Sequence, residues 1–132
     1  MDWIAEVLFG RRLNTEIGEA LRRGGTIVDV REASEFVRAH VIGSHNCPLR
    51  DLDARARLLG KLPRPLVLCG RSLRRVRRAT AMLRAAGVEC VDGGKWHAVR
   101  AALYTTDAGG GDADRRRPRG RHPDLIVRQR SH

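Results

Sequence analysis

The chain has 132 residues, with 26 Lys+Arg against 15 Asp+Glu and a formal net charge of +11. That length supports one domain with a modest core and excludes two full-sized ones. No apolar run approaches the roughly 18 residues of a membrane span, and Asp2 precedes the first apolar stretch and Glu6 interrupts it, so neither a membrane anchor nor a signal peptide is expected.

Two helices are predicted at the start, over about Asp2 to Phe9 and from Asn14 or Thr15 to Arg23, the second stopped by Gly24-Gly25. TIVDV reads as a short buried strand, being β-branched and bounded by turn residues. EASEFVRA follows as a short helix with Phe36 and Val37 facing inward, and HVIGSHNCPL as a loop. DLDARARLLGKL reads as a helix with Leu52, Leu58 and Leu59 on one face. RPLVLC is the second strand. SLRRVRRATAMLRAAG is the clearest helix, with Val76, Ala79, Leu83 and Ala86 at helical spacing and Gly87 ending it. VECV makes a third strand and KWHAVRAALY a closing helix. Alternating strands and helices predict an α/β domain, with a small central parallel β-sheet flanked by helices on both faces.

The folded domain is expected over 1–107. Residues 108–132 hold seven arginines and three aspartates among glycines and prolines. This basic tail is expected to be disordered, because it cannot bury enough apolar surface to offset its ordering entropy. Nucleic-acid contact is expected only through that tail.

Ligands of open parallel sheets collect beyond the carboxyl ends of the strands. Cys69 lies at such an end, ahead of a helix, and is the candidate nucleophile. Gly70, Arg71, Ser72, Leu73, Arg74 and Arg75 form the candidate anion-binding loop. In that setting helix dipole and free amides are expected to lower the thiol pKa. Cys47 and Cys90 are expected to pack in the core. The cysteines form no C-x-x-C pair, and His40, His45 and Cys47 match no metal-site spacing, so no metal and no cofactor are expected. Reduced thiols point to the cytoplasm.

Three segments carry a family resemblance. DVREASEFVRAHVIGSHNCPL resembles the pattern D-V-R-x-x-x-E-F, G-H-I-x-G-A and N-x-P of the rhodanese family. LVLCGRSLRR is similar to that family's cysteine loop, and VDGGKWHAVRAAL to its closing D/E-G-G and helix. The resemblance implies a rhodanese-like α/β fold and a sulfurtransferase. Its cysteine, Cys69, would take a sulfane sulfur from a small anionic donor such as thiosulfate. The persulfide would pass that sulfur to cyanide or a thiol, with an acceptor protein as the other candidate. Asp29, Arg31 and His40 would brace the site.

The loop departs from the family's C-x-x-G-x-R-S. Counted from Cys69, Arg74 closes a six-residue ring and Arg75 a seven-residue one. Counted back from ATAMLRAAG, the family's arginine falls on Arg75. A seven-residue ring would suit a phosphatase or arsenate reductase on the same fold. A non-catalytic rhodanese-like protein-binding module is the remaining alternative.

Overall fold

The computed structural model describes residues 15–108 and 126–127; the helix expected over Asp2 to Phe9 lies outside them. In chain order the described elements are α1 (15–22), β1 (Thr26–Asp29), α2 (Ala33–Arg38), β2 (His40–Val41), β3 (His45–Asn46), α3 (Leu52–Leu59), β4 (Leu66–Gly70), α4 (Leu73–Ala85), β5 (Cys90–Lys95), α5 (Trp96–Ala108) and β6 (Ile126–Val127). A single 3₁₀ turn, Leu49–Asp51, leads into α3.

β1, β3, β4 and β5 form a parallel sheet in the order β3-β1-β4-β5. β1 and β4 are buried throughout, which explains why LVLC of β4 reads as an unbroken apolar run; β1 buries Thr26 and Asp29 beside Ile27 and Val28. The sheet still sorts its side chains by parity. Val28, Leu66 and Leu68 join Leu52 and Leu59 of α3 and Val76, Ala79 and Leu83 of α4 in one core layer. Ile27, Val67 and Cys69 join Ile17 and Ala20 of α1 and Val99 and Ala102 of α5 in the other. Helices therefore cover both faces.

α4 shows how local sequence fixes an element. Ser72 caps it, its hydroxyl accepting from the Arg75 N–H at 3.2 Å. Val76, Ala79, Thr80 and Leu83 make its buried stripe. Gly87 ends it at φ +83°, where its N–H reaches Arg84 O and the Val88 N–H reaches Leu83 O.

Four expectations need correction. Val37 is exposed because the single turn and a half of α2 turns only Phe36 inward, and Leu58 lies outside the stripe of α3. Ala86 is likewise exposed, as the C-cap of α4. The stretch HVIGSHNCPL is not simply a loop, since it contributes β2 and β3. Ile126 and Val127 pair antiparallel with Val41 and His40.

Candidate functional site

The carboxyl ends of β1, β4 and β5 meet the starts of α4 and α5. Val30 N–H donates to Cys69 O at 2.8 Å, and Asp29 lies in register with Cys69. Asn46, the asparagine of the N-x-P match, closes this end by donating to both Asp29 O (3.0 Å) and Arg31 O (2.9 Å).

Asp29 and Arg31 form a buried pair, with side chains 1% and 7% exposed. Arg31 Nε donates to both carboxylate oxygens at 3.1 and 3.0 Å, and Nη2 to Oδ2 at 2.8 Å. The same Nη2 reaches Ala39 O at 2.8 Å, and the guanidinium lies 4.4 Å from the centre of the Trp96 ring. One arginine thus joins β1, the end of α2 and the start of α5. His40 Nδ1 lies 2.8 Å from Phe36 O, and its ring stacks on Phe36 at 3.8 Å. That fastens the turn after α2 and leaves the imidazole buried, away from any open surface.

Cys69 is 0% exposed and sits among Ile17, Ala20, Val99 and Ala102, in the layer under α1 and α5. α4 lies on the opposite face of the sheet. The thiol therefore does not look into the start of α4, where a lowered pKa would arise. Burial pushes its pKa well up; the Asp29 carboxylate adds to the rise and Arg31 opposes it. The expected lowering is reversed.

The loop also differs from the expected ring. Only Arg71 and Ser72 separate β4 from α4, and Leu73, Arg74 and Arg75 are already helical. The Ser72 hydroxyl is occupied in capping, so it serves the helix and takes up one of the amides a ring would use. Among the described residues, neither Arg74 nor Arg75 bonds a loop carbonyl, so neither guanidinium closes a ring. Arg71 pairs with Glu35 at 3.6 Å across an exposed gap.

Gly70 is the residue that faces α4. A Cβ built there would lie 3.1 Å from Val76 Cγ2 and 3.1 Å from Val30 Cγ2, both in the α4 layer. The motif signal for this was present. Keeping the six-residue spacing of C-x-x-G-x-R-S and setting its arginine on Arg75 puts its cysteine on Gly70, its glycine on Leu73 and its serine on Val76. Next to this, β5 bulges: Leu68 pairs with Asp92 but Gly70 with Lys95. Asp92 Oδ1 accepts from the Gly94 N–H at 2.9 Å. Gly93 is sterically required, because a Cβ there would meet Leu68 O at 2.7 Å. Leu73, 51% exposed, lies over Gly94 at the mouth of this corner.

Among the described residues no group of three His, Cys, Asp or Glu could hold a metal ion, and no helix is long and apolar enough to cross a membrane. A groove of about 310 Å³ opens at the other, amino-terminal end of β4 and β5, beside Glu19, Arg23 and Glu89. It has no connection to Cys69.

The buried thiols make alkaline pH a probe of this arrangement. Cys47 and Cys90 are also raised, chiefly by burial. Above the free thiol value of about 8.5 the unfolded chain loses these protons while the folded chain keeps them, so stability falls as pH rises. Thermal melts from neutral pH to about pH 10 are expected to show this decline, and Cys69→Ala to make it shallower. Identical alkaline slopes for the two proteins would contradict the burial of the Cys69 thiol.

The model of the rhodanese-like domain family matches residues 13–98. The chain belongs to that family. It is similar to the Rhodanese_3 like domain of the Alr3790 protein from Anabaena sp. at 30% identity, covering 67% of this chain and 95% of that one, with a TM-score of 0.46. A larger structure of the Alr3790 protein is 27% identical, with 67% of this chain and 66% of that chain covered and a TM-score of 0.47. The chain thus spans just under two thirds of that structure. Protein hp1203 from Helicobacter pylori 26695 is 20% identical over 59% of this chain and 73% of that one, with a TM-score of 0.46. No curated protein matches.

Proposed function

We propose that this rhodanese-like domain is a binding module that does not itself carry sulfur. One observation supports this above the rest: the position facing the start of α4 is Gly70, and the neighbouring thiol of Cys69 is buried on the other face. A nucleophile needs its thiolate, and the thiolate is disfavoured where Cys69 sits. The same lack of a thiol at the α4 end argues against phosphatase or arsenate reductase chemistry, whichever arginine would have closed the ring. What remains is a rigid α/β frame with a strongly basic exterior.

Sulfur transfer through Cys69 is the reading to be excluded. Native protein treated with thiosulfate is expected to gain no sulfur by mass spectrometry. Iodoacetamide is expected to leave Cys69 unmodified until denaturant is added. A persulfide on Cys69 in the native protein, with thiocyanate formed when cyanide follows, would overturn the proposal and restore the sulfurtransferase.

A further inference from the structure

We propose that the outer face of the α3–α4 layer binds the phosphate backbone of a double-stranded nucleic acid. Arg74, Arg75, Arg77 and Arg78 of α4 and Arg55 and Arg57 of α3 are all exposed. Among the described residues, none of the six has a carboxylate within ion-pair distance; the ion pairs there involve Arg22, Arg23, Arg31, Arg50 and Arg71. α4 contains no acidic residue at all, and its buried stripe of Val76, Ala79 and Leu83 fixes the arginines on the outside. α3 and α4 cover the same face of the sheet, so their charges add on one side of the domain.

Their placement runs against the helix's own interest. Arg74 and Arg75 stand in the first turn of α4, where the helix dipole disfavours cations. Arg74 repels Arg77 and Arg78 at helical i,i+3 and i,i+4 spacing. An anion spread over the face relieves both strains, and a point anion relieves only a part. The guanidinium fork suits phosphate oxygens, and charges set along a helix suit a repeating array of them.

The chemistry of the face narrows the partner further. Protein interfaces centre on aromatic and apolar anchors, and α3 and α4 contain no aromatic residue. Leu58 and Leu73 are their large exposed apolar residues, one on each helix. Single strands are held by bases stacked on aromatic rings, which this face cannot offer. A duplex asks only for cations along its backbone, and such contacts read no sequence. The Cys69 thiol lies on the opposite face of the sheet, so this surface stands or falls apart from sulfur transfer through Cys69.

The test uses the full chain, including its Arg-rich tail, with fluorescently labelled DNA duplexes of two unrelated sequences. Equal affinity for both is expected, with a steep salt dependence. Four to six phosphate contacts imply a roughly 10²- to 10³-fold loss between 50 and 200 mM salt. Changing Arg74, Arg75, Arg77 and Arg78 together to Gln should flatten the log–log slope by about three to four units, with helicity unchanged by circular dichroism. The matching Lys variant should keep the slope. An unchanged slope in the Gln variant would overturn the proposal by assigning binding to other residues, the tail included. Equal displacement by polyglutamate at matched charge would overturn it in favour of an acidic protein partner.

Discussion

Asp29→Ala is expected to lower folding stability by about 3–5 kcal/mol, the usual cost of removing one partner from a buried ion pair. The buried Arg31 side chain would be left with Ala39 O as its one remaining hydrogen-bond acceptor. For a domain of this size the midpoint of thermal unfolding should fall by roughly 15 °C or more. The pair is not a large source of stability in itself, because desolvation offsets much of its attraction. Removing both partners, as Asp29→Ala with Arg31→Met, should therefore recover a good part of the loss. Urea titrations of the single and double variants measure this. A double variant no more stable than the single one would show that the Arg31 contacts to Ala39 and Trp96 matter more than its charge balance.

Gly70→Cys combined with Leu73→Gly and Val76→Ser is expected to transfer sulfur through a thiol on the α4 side of the sheet. Each change answers a specific obstacle. The first places a thiol on the α4 side of the sheet. The third removes one of the two methyl groups that stand 3.1 Å from the new Cβ, leaving that of Val30, and the second uncovers the corner that Leu73 overlies. A thiol there should ionise below its free value of about 8.5, because it faces the positive end of a 13-residue helix. The thiolate then attacks the outer sulfur of thiosulfate and sulfite leaves; cyanide removes the terminal sulfur of the persulfide as thiocyanate and regenerates the thiolate. Thiocyanate formation should survive a further Cys69→Ala change. A new thiol that alkylates no faster than Cys69, or transfer that depends on Cys69, would show that the two faces have been misassigned.

Much of the frame was legible in the sequence, because long-period signals survive tertiary context. TIVD and LVLC stand out through β-branching and burial on both faces, and α4 through its apolar stripe. β2 and β3 were not legible, since two residues carry no period, and parallel pairing with β1 is set by distant chain. Likewise, composition marks the tail as unstructured, whereas the pairing of Ile126 and Val127 depends on β2. The site is sensitive to motif register for a geometric reason. A strand turns each successive side chain to the opposite face, so a one-residue offset in the motif moves the assignment through the sheet. Counting from the cysteine selects Cys69. Counting from the helix, the more rigid ruler, selects Gly70.

The sheet order has a consequence for how the chain acquires its structure. Every pairing in the sheet is parallel, so no two of its strands can meet through a tight turn. β1 is central, yet its neighbour β4 lies far along the chain, with Thr26 paired to Leu66. Loop closure must precede the contacts that stabilise it, which makes such topologies slow to form and exposes unpaired edges meanwhile. A nascent chain that ends before Leu66 holds β1 with one edge bare and Ile27 and Val28 uncovered, one on each face. Until β4 is available, that strand is a template for pairing with other chains, and the domain depends on finishing synthesis before it meets them.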